Sequence, residues 1–421
     1  MKQCSRRHFI KKSIATLPAV YMAGCGGKDG QKISVRPITT GPKFHWFGYY
    51  DKYQFDPANR YVLSNEIDFE HRSPRFDDLI NVGMVDLKNR DTWYELGHTQ
   101  TWNWQQGCML QWLPGSKTKV IWNNRQGDFF GCVILDIKSG RKRFIPHPVY
   151  TISPDGRTAM TLDFERVQDM RPGYGYAGLT DPNKDVLAPD NAGIYKVDLE
   201  TGERQLVISI QQIAKIPYPW EDLSDAKHYF NHLLFSPDGS RFIFLHRWQP
   251  NPQNKKRYQN VGGWGTRMLT ATPDGNDIHV VDDFGFTSHF IWRDPQHILA
   301  WAGHPEFGNH FYLYTDGSKD VEIVGKDVMT RNGHCTYLPG NEWILNDTYP
   351  DRQRNQEIYL YHVPTGKKVT LGSFYLPPEY KGEWRVDTHP RFSRDGKSVV
   401  FDSAHAGNGR QLYVIDISKI I

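Results

Sequence analysis

His232-Leu-Leu-Phe235-Ser-Pro-Asp-Gly239 reads as a short strand running into a tight turn, with Pro, Asp and Gly supplying the turn chemistry. The same frame recurs downstream in His289-Phe-Ile-Trp292-Arg-Asp-Pro, His334-Cys-Thr-Tyr337-Leu-Pro-Gly and His389-Pro-Arg-Phe392-Ser-Arg-Asp-Gly. Upstream it fits Val149 to Ile152-Ser-Pro-Asp-Gly, Met109 to Trp112-Leu-Pro-Gly and Lys52 to Phe55-Asp-Pro-Ala-Asn. Seven copies therefore span the chain, and only the last four begin with histidine.

Between copies the pattern is nearly all short β runs bounded by Gly, Asp, Asn and Pro. The fourth copy offers Leu233–Phe235, Arg241–His246, Met268–Thr272 and Ile278–Val281. Four strands repeated every 40–60 residues or so is the signature of propeller blades. The expectation is an all-β, seven-bladed β-propeller with four-stranded blades. It forms one body over 26–421, although 421 residues alone suggest two domains. The last copy holds only three strands, Pro390–Phe392, Ser398–Phe401 and Gln411–Ile415. An N-terminal strand, Ile33–Ile38, is predicted to close the ring as the outer strand of that blade; Pro37 suits an edge. The third blade carries two inserts, Phe164 to Ala192 and Gln211 to Asn231, with a short helix predicted at Ile210–Ala214.

Residues 1–25 read as a targeting segment. Ser5-Arg6-Arg7-His8-Phe9-Ile10-Lys11 resembles the twin-arginine export motif, and Met22-Ala23-Gly24-Cys25 resembles a lipoprotein processing box. The expectation is an exported, periplasmic or outer-membrane-attached lipoprotein, held to the membrane only by lipid at Cys25. The apolar run is too short to span a bilayer. Beyond Cys4 and Cys25 three cysteines remain, so no disulfide framework is expected; Cys108 and Cys132 either pair or stay as buried thiols. A net charge of +4 without a dense basic stripe argues against nucleic acid and suits a small or polymeric anion.

In a propeller each inner strand runs from one face to the other. The Ser-Pro-Asp-Gly turns thus mark one face, and the histidine ends share the opposite face with the exits of the second strands. Those exits are long and rich in charged and aromatic residues, whereas the turns are short. Function is therefore expected on the histidine face. His232, His289, His334 and His389 either fill blade starts structurally or ligate a divalent transition metal such as Zn, Mn, Fe, Ni or Cu. His228 and His246 supply candidate bases, and Arg247 and Arg171 candidate carboxylate binders. Trp46, Trp102, Trp104 and Trp384 either stack on sugar rings or pack in the core. No Gly-x-Ser-x-Gly, P-loop or His-Glu-x-x-His occurs.

The blade pattern, ending in strands such as Gln411-Leu-Tyr-Val-Ile-Asp416, resembles the TolB-like propellers. Ser288-His289-Phe-Ile-Trp292, Gly333-His334-Cys335 and Thr388-His389-Pro-Arg-Phe392 more narrowly resemble the oligogalacturonate lyase family. That resemblance implies a seven-bladed fold, a manganese-type metal held by His289 and His334, with His232 and His389 beside them, and β-elimination on anionic uronate oligosaccharides. Zinc remains an alternative metal. A non-catalytic glycan- or protein-binding propeller and a metal-dependent glycoside hydrolase remain alternative functions; a monomer is expected.

Overall fold

The computed structural model describes residues 33–249 and 265–421, together with the backbone of Lys12–Ser13, which bridges Tyr94 and Trp93 at the outer edge of the first blade. The expected targeting segment, residues 1–25, otherwise lies outside the described residues. Seven antiparallel sheets succeed one another along the chain. Blade 4, for example, is built from Lys227–Phe235, Phe242–Gln249, Gly265–Ala271 and His279–Gly285. Among the described residues no helix is long and apolar enough to cross a membrane.

The ring closes as the sequence predicts. Val35–Pro37 pairs antiparallel with Gln411–Asp416, Val35 facing Ile415 and Pro37 facing Tyr413, as the outer strand of blade 7. The amide of Ile38 then donates to the Leu412 carbonyl at 2.9 Å, and its side chain is buried.

The turn face repeats one device. Ser153, Ser236 and Ser393 each donate a side-chain hydrogen bond to the Asp two residues on, at 2.5–2.6 Å. Each also accepts an amide five residues on, which closes the loop. Gly156 sits at φ +73°, and a Cβ there would meet the Pro114 carbonyl oxygen at 2.2 Å, so the turn packs directly on the preceding blade. A channel cavity of about 430 Å³ opens among these turns and ends inward at Tyr50, Asp51 and Lys52.

Two features depart from the sequence reading. The inner strand of blade 1 is split: Phe44–Trp46 pairs with Asn65–Ile67, and Phe55 separately bridges Val62. The intervening loop carries Tyr49 and Tyr50 into the channel. The first insert of blade 3 opens with a helix, α1 (Phe164–Met170), that the short-strand pattern concealed. The predicted second helix, α2 (Ile210–Ala214), is present, with Ser209 accepting from the Gln212 amide as its N-cap. Cys108, Cys132 and Cys335 are free and buried. Trp46, Trp102 and Trp104 form a packed cluster with ring centroids 5.0–5.5 Å apart, so these three belong to the core.

Candidate metal and acid–base site

His232, His289, His334 and His389 are all buried at one end of the channel. The backbone of His232 (φ 54°) and His389 (φ 39°) is left-handed, as is that of Met109 (φ 55°) at the matching position of blade 2. A non-glycine residue in this region costs about 1 kcal/mol or more. His232 and His389 hold this backbone at the histidine end of their inner strands.

The four imidazoles do not form one ring of ligands. His289 and His334 lie 4.0 Å apart by ring centroids, and His334 and His389 lie 4.2 Å apart. His232 is set off from them by Tyr49, which stacks on its ring at 5.0 Å and meets His389 edge-on at 5.1 Å. The Nδ1 of His232 is 3.3 Å from both Gln106 Nε2 and the Tyr150 hydroxyl. Placing His232 in the metal set therefore finds no support in the geometry. Tyr50 crosses the channel, its hydroxyl accepting from the Phe290 amide at 3.0 Å and donating to the Phe290 carbonyl at 2.7 Å. It separates the histidines from the turn-face cavity.

The group that could hold a metal is His334, Asp387 and His389, whose donor atoms all lie within 4.8 Å of one another. Asp387 was not legible as a ligand by repeat position. Its signal is the spacing Asp387-Thr-His389, a carboxylate two residues before a histidine that the repeat already marks. His389 Nε2 and both Asp387 oxygens are buried without a hydrogen-bond partner. The Arg385 Nε lies 2.8 Å from Asp387 Oδ2 as an ion pair, outside hydrogen-bonding geometry. Orphaned, mutually facing donors of this kind fit a cation.

Asp347 organises the set. Its Oδ1 accepts from the His334 amide at 2.7 Å and faces His334 Nδ1 at 2.9 Å. Its Oδ2 accepts from Thr388 Oγ1 at 2.5 Å and from the His389 amide at 3.2 Å. Burial works to raise its pKa, but His334 and these bonds outweigh burial and hold it below the usual carboxylate value. A carboxylate on Nδ1 fixes the tautomer that leaves Nε2 free to ligate. Asp347 is thus a buried organiser of the set.

His289 is poised differently. Its Nδ1 faces Asn332 Oδ1 at 3.0 Å, and the Asn332 amide nitrogen donates to Ser288 Oγ, which sets that oxygen toward the ring. Nδ1 therefore carries the proton, and the Nε2 lone pair points at the Tyr349 hydroxyl 3.4 Å away. Burial first, and His334 second, keep the imidazole neutral, well below its usual pKa.

Guanidinium groups surround the mouth. Arg247 is buried, and among the described residues its Nε has no partner and its guanidinium reaches only the Thr287 carbonyl, at 3.5 Å. Burial, then repulsion from Arg171, lowers its pKa to about 10. Arg171 lies 4.1 Å over the Tyr174 ring, and Arg385 Nη2 donates to the Tyr174 hydroxyl at 2.8 Å. Burial opposes ionisation of that phenol, yet Arg385 and Arg171 together bring it below the usual value.

His228 and His246 stand elsewhere. His228 Nδ1 is 2.9 Å from His246 Nε2, His228 Nε2 reaches the Leu223 carbonyl, and His246 Nδ1 accepts from Arg267. Every ring nitrogen of the pair is used, and no contact among the described residues joins them to the mouth. Burial holds both pKa values low. The two serve as a structural bridge within blade 4 rather than as bases.

No protein-family model matches the sequence, and no curated protein matches it. Among solved structures, an oligogalacturonate lyase from Vibrio parahaemolyticus aligns over 97% of this chain and 96% of its own, at 13% identity and a TM-score of 0.63. An oligogalacturonate lyase in complex with manganese aligns over 92% and 94%, at 14% identity and a TM-score of 0.63. TolB from Acinetobacter baumannii aligns over 85% of this chain at a TM-score of 0.41. At these identities the likeness is one of fold: the chain is a seven-bladed, four-stranded β-propeller of the architecture found in the oligogalacturonate lyases.

Proposed function

We propose that this protein is a polysaccharide lyase that cleaves uronate-containing oligosaccharides by metal-assisted β-elimination. The observation that carries the reading is the meeting of three components at one buried mouth. These are a buried His334–Asp387–His389 donor set, an unprotonated His289 Nε2 beside it, and an under-partnered Arg247. Two imidazoles and a carboxylate suit Mn, Zn or Fe. The metal, when bound, neutralises the substrate carboxylate and so lowers the cost of charge developing there.

The chain's own groups supply the rest. Elimination removes the proton α to the carboxylate, forms the α,β double bond and breaks the bond from the β carbon to the glycosidic oxygen, which leaves as a hydroxyl with a proton from water. His289 Nε2 is the acceptor for that proton, held in the right tautomer by Asn332. Arg247 binds the carboxylate, because a buried guanidinium with an unmet Nε gains most from an anion. Arg171 and Arg385 close the cationic rim through Tyr174. Tyr50 blocks approach through the channel, so substrate enters from the insert face. A hydrolase would need a second free carboxylate, and Asp347 is fully engaged with His334, Thr388 and His389. The protein acts as an exported monomer anchored by lipid at Cys25, which would place it where polymeric uronates occur.

The test is metal analysis of the purified protein followed by assay on uronate oligomers. About one transition metal per chain, lost in His334→Ala, is expected, together with an ultraviolet-absorbing unsaturated product. A product of hydrolytic mass would replace the lyase reading with hydrolysis. Metal-free protein that retains full activity would remove the metal from the mechanism.

A further inference from the structure

A second concave site lies away from the histidine mouth, where the second-strand exit of blade 5 meets the insert before blade 4. It encloses about 400 Å³ and is walled by Trp220, Phe284, Phe286, His304 and Asn309. Trp220 is 56% exposed, which is unusual for an indole on a protein whose other rings are largely buried. Trp220 and Phe284 lie 5.8 Å apart, Phe284 meets His304 edge-on at 4.6 Å, and His304 stacks on Phe307 at 4.7 Å. Phe307 is itself 47% exposed, so the cluster presents a row of rings to solvent rather than a core.

The polar groups in this row are oriented. His304 Nδ1 accepts from the amides of Glu306 and Phe307 at 3.2 and 3.4 Å. Its proton therefore sits on Nε2, as a donor not used by any of these bonds. Asn309 is exposed and adds both a donor and an acceptor. Among the described residues, none of the walling side chains is Lys, Arg, Asp or Glu. The contrast with the mouth, ringed by Arg171, Arg247 and Arg385, is one of chemical class: the mouth suits carboxylates, and this groove suits an uncharged ligand.

We infer that this groove is an accessory subsite for a neutral sugar ring. Pyranose rings present flat C–H faces that pack on aromatic rings, and their hydroxyls both donate and accept, as His304 and Asn309 require. The site rests on the glycan reading of the protein but not on its catalysis. It would hold uncharged residues or branches of a polymer whose uronates are cut at the mouth.

The test is native electrophoresis of the full chain in gels containing soluble neutral glycans (galactan, xyloglucan or mixed-linkage glucan), after metal chelation so that cleavage plays no part. Retardation of the wild type by at least one of them, weakened about tenfold in Trp220→Ala and in Phe307→Ala at unchanged Tm, is expected. No retardation by any of the three, or retardation unchanged in both variants, overturns the inference. A fall in oligomer size for Trp220→Ala in light scattering assigns the groove to a second copy of the chain and overturns it as well. Because binding is read without turnover, loss of the lyase reading alone leaves a positive result intact.

Discussion

Asp347 shows how much one buried carboxylate can set. It fixes the His334 tautomer and restrains the backbone of His389, so two candidate ligands depend on it. Asp347→Asn preserves volume but exchanges an acceptor for a donor at one position. The expected outcome is a fall in metal affinity of about 10–100-fold with the fold retained, measured by competition with a chelator and by circular dichroism. Unchanged affinity would return Asp347 to a purely structural role.

Asp282 illustrates a cost rather than a gain. It is buried against Thr287 and Tyr314, and desolvation raises its pKa to about 7 from an ordinary 3.8. Below its unfolded value both states are protonated, and the group contributes nothing. As pH rises through the window from about 4 to about 7, the unfolded chain loses the proton while the folded one keeps it, so stability falls. Asp282→Asn should therefore raise Tm at about pH 8, by the equivalent of roughly 1–3 kcal/mol, and the gain should vanish near pH 4. Thermal melts across that range read the difference directly.

At the scale of elements, the first insert of blade 3 completes the mouth through Arg171 and Tyr174, and both inserts are tied down by arginines. Arg166 on α1 bonds Asp181 and the carbonyls of Asn183, Val186, Leu187 and His228. Arg267 bonds the carbonyl of Ile213 within α2 and those of Ile216 and Pro217 after it. The segment bearing Tyr174 and Tyr176 packs against α1 through Gly175, where a Cβ would meet the Gln168 amide nitrogen at 2.1 Å. Tyr176 stacks on Phe164 at 4.2 Å. Gly175→Ala should displace Tyr174 and with it the Arg171–Arg385 rim. Activity per folded molecule on uronate oligomers is expected to fall by about tenfold or more, because misplacement of order 1 Å at a site is that costly. A large Tm loss with unchanged activity per folded molecule would contradict this.

For the whole molecule, closure of the ring by Val35–Pro37 leaves no blade short of a strand. Ile38 is the buried anchor next to that strand. Ile38→Ala should cost about 2–5 kcal/mol, as core truncations do, and lower Tm accordingly. A surface-sized effect would show that blade 7 holds without its N-terminal strand.

The sequence by itself determined the blade count, the ring closure, α2 and the face on which the histidines gather. Each follows from local periodicity or turn chemistry, which every copy of the repeat states for itself. It also brought His289, His334 and His389 to one place, because repeat position maps onto position around the channel. Only the tertiary structure decided which atoms face one another. Asp387 stands outside the repeat frame, Tyr49 and Tyr50 enter through a broken strand in blade 1, and His232 is turned away by a stacking ring. His228 and His246 carried the right chemistry on the right blade, yet spend every nitrogen on Leu223, Arg267 and each other. Side-chain direction, burial and the sharing of hydrogen bonds arise between blades, and no single stretch of chain encodes them.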